Sequence, residues 1–123
     1  MKTHQVWIGR KGARNGLDNS DYEIVEFTGQ ELGYWRDVDD PVWRNRGTDF
    51  RIFHTDESTI IIHRVDWSRW EGEDTFASIL EFEDLTEAVR AGWRTVLENA
   101  GVIPRRVRSL RERRRERERQ QAE

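Results

Sequence analysis

The stretch at residues 49–70, DFRIFHTDESTIIIHRVDWSRW, restricts the fold more than any other part of the chain. Two runs rich in β-branched and aromatic residues, 50–55 and 59–67, flank the polar pair Asp56-Glu57. That arrangement predicts a β-hairpin. With the turn centred on Asp56-Glu57, Phe50, Ile52, His54, Ile61, His63, Val65 and Trp67 share one face. Arg51, Phe53, Ile60, Ile62, Arg64 and Asp66 share the other. Alternation makes the first face the core. Ile60 and Ile62 imply that part of the second face is covered as well.

Further strands are predicted at residues 4–8, 22–27 and 75–83, and Tyr34 and Trp35 favour another at 31–38. A glycine-rich loop occupies residues 9–20, Thr28-Gly29-Gln30 punctuates the next junction, and residues 37–41 and 43–48 read as loop. One helix is clear at residues 86–100. Asp84 with Glu87 fits a capping pattern, with Thr86 as an alternative cap, and Val89, Trp93, Val96, Leu97 and Ala100 recur at helical spacing. Gly101 is placed for a left-handed cap, and Pro104 stops continuation. The fold class expected is α+β: an antiparallel sheet of about five strands, one packed helix, and a C-terminal arginine/glutamate-rich helical extension. The domain boundary falls between residues 1–104 and 105–123.

Only 35% of the 123 residues are hydrophobic and 37% are charged, but six Trp, five Phe and two Tyr compensate, because each aromatic buries a large area. The chain has no cysteine, which excludes disulfides, thiolate catalysis and Cys-ligated zinc. No run reaches the length of a membrane span. Past Lys11 there is no lysine to form a Schiff base or cradle a phosphate. Charge is divided unevenly: residues 1–104 carry 12 basic against 20 acidic residues, a net −8, and residues 105–123 carry nine arginines against four glutamates, a net +5. A basic tail on an acidic body points to an anionic partner for the tail. In the tail, Arg108 with Glu112, Arg114 with Glu118 and Glu116 with Arg119 have helical pair spacing. Only Val107 and Leu110 could dock on anything.

The three histidines invite a metal reading. In the register above, His54 and His63 lie four residues apart along the sheet, about 13 Å, too far for one zinc. They read as partly buried sheet residues. Gly9, Gly12 and Gly16 lack the Lys-Ser/Thr and the helix that a phosphate loop needs. Asp37, Asp39 and Asp40 lack the downstream Glu of a calcium loop. Glu71, Glu73 and Asp74 form a carboxylate cluster without a positioned acid–base partner. Trp67-Ser68-Arg69-Trp70 is the sharper feature, because Trp and Arg at a loop tip are what binding hot spots use.

Phe27-Thr28-Gly29-Gln30-Glu31-Leu32-Gly33-Tyr34-Trp35-Arg36, then Phe50-Arg51-Ile52-Phe53-His54-Thr55, then Ile61-Ile62-His63 resemble the pattern of the EXLDI protein family. The resemblance covers about residues 22–96. Members often begin with a short DNA-binding segment of ribbon–helix–helix type, where residues 4–8 here lead into the glycine loop. The resemblance implies a regulatory or ligand-sensing accessory domain. It supplies no catalytic residue.

Together these observations predict a non-enzymatic, cytoplasmic binding module without a cofactor or a metal. It recognises a protein partner or small ligand through Trp67, Arg69, Trp70 and Glu71. The alternative is a nucleic-acid-associated regulator whose tail, through Arg105, Arg106, Arg108, Arg111, Arg113, Arg114 and Arg115, makes weak phosphate contacts. A carboxylate-based hydrolase or nuclease ranks third. No membrane partner is expected, and homodimerisation is left open.

Overall fold

The computed structural model describes residues 1–13, 20–39, 42–70 and 72–122. Five strands, β1 (Lys2–Lys11), β2 (Asp21–Val38), β3 (Arg46–Thr55), β4 (Ile60–Ser68) and β5 (Thr75–Phe82), pair antiparallel in chain order. β5 then returns to β1 and closes a barrel. The five strands and α+β class match the sequence reading; closure is the addition.

The stretches 22–27 and 31–38, expected as separate strands, are one strand of 18 residues. The first half of β2 pairs with β1 and the second with β3, and Gly29 lies opposite both Lys2 and Thr55. A meander of five straight strands would bring β1 and β5 together parallel. They meet antiparallel, with Gly9 opposite Ala77, so the sheet coils strongly between them and β2 spans the bend. β3 begins at Arg46, so residues 46–48, expected as loop, extend the hairpin.

The hairpin register corrects the expected faces. Its loop has three residues, Asp56, Glu57 and Ser58, with Ser58 left-handed at φ 65°. Ser58 N–H donates to the Thr55 carbonyl at 3.0 Å, and Thr55 N–H to that of Thr59 at 2.9 Å. This is the three-residue hairpin in which a turn is followed by one left-handed residue. His54 therefore pairs with Ile60, and His63 with Arg51. The one-residue slip turns β4 over relative to β3. Phe50, Ile52, Ile60 and Ile62 face outward and are buried beneath the helix with Ala88 and Leu97. Phe53 and Ile61 face the barrel interior with Val6, Val25, Phe27 and Ile79.

Residues 86–100 do not form a single helix. α1 (Leu85–Ala88) passes through a π-helical turn (Val89–Trp93) into α2 (Arg94–Asn99). Gly92, at φ 100°, breaks the helical path. The apolar stripe still reaches its target: Leu97 is fully buried, and Trp93 meets Phe50 edge-on at 6.0 Å. The caps form where expected. Asp84 accepts from Glu87 N–H at 2.8 Å, and past Gly101 the Val102 N–H closes onto the Leu97 carbonyl at 2.9 Å. No helix among the described residues is long and apolar enough to cross a membrane.

The β1–β5 seam is short, joining Gly9, Arg10 and Lys11 to Ala77, Phe76 and Thr75. Beyond it, His63 reaches from β4 and donates through Nε2–H to the Trp7 carbonyl at 2.7 Å. His63 is only 4% exposed, and its Nδ1 has no partner among the described residues. Burial pushes its pKa below the ordinary 6.5, the Trp7 carbonyl opposes that shift, and the Arg51 charge adds to it.

Two outcomes follow from this packing. Leu97→Ala should cost about 2–5 kcal/mol in denaturant melts, since it empties a fully buried site, and Gly92→Ala about 1–2 kcal/mol from its left-handed backbone alone. Losses near zero at Leu97 would mean the helix does not seal the outer core.

His63 sets a pH dependence. Above pH 6.5, the ordinary value, it is neutral folded and unfolded and contributes no slope. Below that value the unfolded chain binds a proton that the folded chain resists, so stability falls as the pH drops toward the lowered pKa. His63→Gln should flatten the stability profile below about pH 6.5, measured by thermal melts at successively lower pH.

Candidate functional site

The coiling of the sheet brings three loops to one pole of the barrel. The β4–β5 loop is tied to the β2–β3 loop where Arg69 N–H donates to the Asn45 carbonyl at 2.8 Å. It is tied to the β1–β2 connection through Asp74, which accepts from Ala13 N–H at 3.1 Å and lies 3.8 Å from the Arg10 guanidinium. A cleft of about 480 Å³ opens between them, lined by Asp39, Arg46, Thr48, Trp67, Glu73 and Phe76 among others.

Two assemblies of arginine, tryptophan and carboxylate border the cleft. In the first, Arg36 forks onto Asp49 with both bonds at 2.8 Å and lies 5.1 Å over the Trp67 ring. Asp49 also accepts from Trp67 Nε1–H at 2.9 Å. In the second, Arg46 forks onto Glu73, at 2.8 and 2.5 Å, and lies 6.0 Å from the Trp70 ring. Ser68 Oγ donates to the same Glu73 at 2.5 Å. The Arg46 hydrogen bonds, with the Ser68 hydroxyl, hold the Glu73 carboxyl below its usual range, and Glu73 in turn raises Arg46. A carboxylate kept ionised in this way suits cation binding and not proton donation.

Trp67 is part of the barrel wall. It sits opposite Gly47, where a Cβ would lie 2.6 Å from the indole Cζ2, so only glycine lets the ring lie flat on β3. Arg69 is exposed and lies 5.5 Å over the same ring. Trp70 is 50% exposed at the pole. Glu71 lies outside the described residues, as do Gly16, Asp40 and Pro41. The structure thus brings Trp67, Arg69 and Trp70 to one pole. Sequence reasoning missed their companions. Trp43, 72% exposed, shares the pole from the β2–β3 loop, and Arg36, Arg46 and Asp49 organise it. The Trp43-Arg44-Asn45-Arg46 run, so similar in composition to Trp67-Ser68-Arg69-Trp70, was the available signal. A second aromatic cluster on the outer face of β1 and β2 was also missed: Trp7 meets Tyr22 at 6.0 Å, with the Lys11 ammonium 4.5 and 5.1 Å from the two rings.

The tail arginines project into water. Arg105 bonds Asn99, and Arg106 N–H reaches Glu98, which ties the tail base to the end of α2. Ser109 caps α3 (Leu110–Ala122), accepting from Glu112 N–H at 3.1 Å. Arg108 pairs with Glu116 and not, as its spacing suggested, with Glu112. Val107 and Leu110 are 92% and 63% exposed, and no residue of α3 is buried. Arg111, Arg113, Arg114 and Arg115 are exposed.

The histidines are separated by the corrected register. His54 lies on the opposite face of the sheet from His63, and His4 packs 4.8 Å from the Phe53 ring with its Nε2 3.1 Å from the Gly29 carbonyl. Among the described residues, no three of His, Asp and Glu stand together as metal ligands.

The fold and pole define a small closed antiparallel barrel with a one-sided helical cover and an arginine–tryptophan loop surface. No family model, curated protein or solved structure matches the chain.

Asp49 is the hinge of the first assembly. Asp49→Ala should lower stability by about 1–3 kcal/mol in denaturant melts, because it leaves the Trp67 N–H and Arg36 without their shared acceptor. An unchanged midpoint would show that both groups are satisfied by water.

Proposed function

We propose that the chain is a non-enzymatic binding module that recognises a protein partner through the aromatic pole formed by the β2–β3 and β4–β5 loops. The observation that carries this reading is the exposure of Trp43 and Trp70 on two loops stapled by the Arg69–Asn45 hydrogen bond. Large amphipathic rings held out from a rigid scaffold give contact area at little entropic cost. Arg69 and Arg46 beside them add directional donors, a hot-spot composition. The engagement of Glu73 by Arg46 and Ser68 favours recognition over acid–base chemistry. The resemblance to the EXLDI family is in keeping with an accessory role.

One observation favours a second reading, a nucleic-acid-associated regulator. α3 buries no residue, so its arginines are available to phosphates. The four glutamates among them and the net −8 of residues 1–104 count against tight binding.

The test is comparative affinity capture by the full chain and by Trp43→Ala/Trp70→Ala. The double variant should keep its melting temperature within a few degrees and weaken partner binding by about 2 kcal/mol or more, roughly thirtyfold. Capture that ignores both tryptophans but disappears when residues 105–123 are removed would sink the leading reading in favour of the second.

A further inference from the structure

The barrel has a second end, opposite the aromatic pole, where β4 begins at the β3–β4 hairpin. β2 pairs with β3 only from Gly29 onward, so residues 25–28 leave β3 in company with β1. The barrel stays open between them and the hairpin end of β4 and β5. The opening is a cleft of about 490 Å³. Its floor is apolar, formed by Val25, Phe27, Ile61 and Ile79 of the inner core. Its rim is acidic, formed by Glu26, Asp56, Glu57 and Glu81, all exposed. Thr59 Oγ1–H donates to Glu81 at 2.9 Å. Glu26, Asp56 and Glu57 have no side-chain hydrogen bond or ion pair among the described residues. An apolar floor with a few charged groups around it, set in the mouth of a barrel, is a form that binding sites commonly take.

One segment of the chain carries the complementary pattern. Arg106-Val107 and Leu110-Arg111 place two apolar side chains between two arginines. Val107 and Leu110 are 92% and 63% exposed, so packing within one copy does not account for them. The Arg106 and Arg111 guanidinium groups have no partner among the described residues, whereas Arg105 bonds Asn99 and Arg108 pairs with Glu116. Residues 104–109 belong to no helix or strand, which leaves the segment free to follow the shape of a groove. Val107 and Leu110, three residues apart, stay within roughly 10 Å of each other, so both can enter one mouth.

We infer that the acidic mouth of the barrel receives residues 106–111 from the tail of a second copy of this chain. Val107 and Leu110 enter the apolar floor, and Arg106 and Arg111 meet Glu26, Asp56 and Glu57 on the rim. The net −8 of residues 1–104 and the net +5 of the tail draw the two surfaces together. The ion pairs are exposed and therefore weak and salt-sensitive, and the two apolar side chains supply the rest of the affinity. Mouth and tail are different surfaces, so the contact is head-to-tail, and each copy can both give and receive a segment. The site is separate from the aromatic pole and does not depend on the role proposed for it.

The experiment uses the full chain and a labelled peptide of residues 105–123, read by fluorescence anisotropy at about 0.05 M salt. The peptide should bind. A peptide carrying Val107→Ser/Leu110→Ser keeps the charge and should bind about tenfold more weakly, or worse. Asp56→Asn/Glu57→Gln in the full chain should cost about fivefold in affinity, and Glu26→Gln, on a strand and away from the hairpin turn, should weaken binding in the same direction. Both rim variants should keep their melting temperatures within a few degrees. Trp43→Ala/Trp70→Ala should leave peptide binding unchanged. Sedimentation of the full chain above the dissociation constant of the peptide should show a mass greater than one chain, and excess unlabelled peptide should return it to monomer.

No peptide binding at low salt would overturn the inference. So would equal binding by the serine peptide, because charge alone would then attract the tail, or binding unaffected by both rim variants. A full chain that binds the peptide but stays monomeric would place the tail in the mouth of its own copy and overturn the assignment to a second one. Loss of binding in the tryptophan variant would move the contact to the aromatic pole.

Discussion

The hairpin of β3 and β4 is apolar on both faces, and the rest of the architecture answers that constraint. Phe50, Ile52, Ile60 and Ile62 need a cover on one side, and Phe53 and Ile61 need one on the other. A flat sheet with a single helix leaves one of these sets in water, at a cost set by its apolar area. Closing the barrel buries the inner set against β1, β2 and β5, and the broken helix buries the outer set. With only 35% hydrophobic residues, the chain concentrates its core on this hairpin and on the aromatics around it, such as Trp35 stacked on Phe50 at 5.4 Å. His63 belongs to the same solution. It bonds the Trp7 carbonyl near the short β1–β5 seam, at the expense of a buried Nδ1 left without a donor among the described residues.

Closure also decides where loops meet. Because β2 bends between its pairing with β1 and its pairing with β3, the segments at its two ends both reach the β4–β5 loop. Hydrogen bonds from Arg69 to Asn45 and from Ala13 to Asp74 then hold the three connections together. Loops fixed on a rigid scaffold are where recognition groups usually sit. The local electrostatics point the same way. Arginine side chains lie over indoles and against carboxylates, and Arg46 and Ser68 hold the Glu73 carboxyl below its usual range. These groups are the basis of the recognition role proposed for the pole.

The tail differs from the barrel in kind. Among its described residues it adds no buried side chain, and its helix has no apolar seam, so its composition supplies charge and not packing. Ser109 and Glu112 cap that helix without tying it to the barrel. The body is acidic, with a net −8 over residues 1–104, and the tail helix is arginine-rich and buries no residue.

Class, hairpin, helix caps and the division between body and tail were legible in the sequence, because alternation, capping and composition act over a few residues. The prominence of Trp67-Ser68-Arg69-Trp70 was legible for the same reason, although Trp67 lies against Gly47 and Trp43 went unnoticed. The face of β4 that points inward was not legible. It turns on Ser58 adopting a left-handed conformation, which adds one residue to the loop and exchanges every side chain of the strand. Nor was the union of Trp43 with Trp70 at one pole, or of Arg36 with Asp49 beneath it. Those contacts join residues far apart in the chain, and they depend on how far the sheet coils. That coiling is settled only when all five strands have closed on one another.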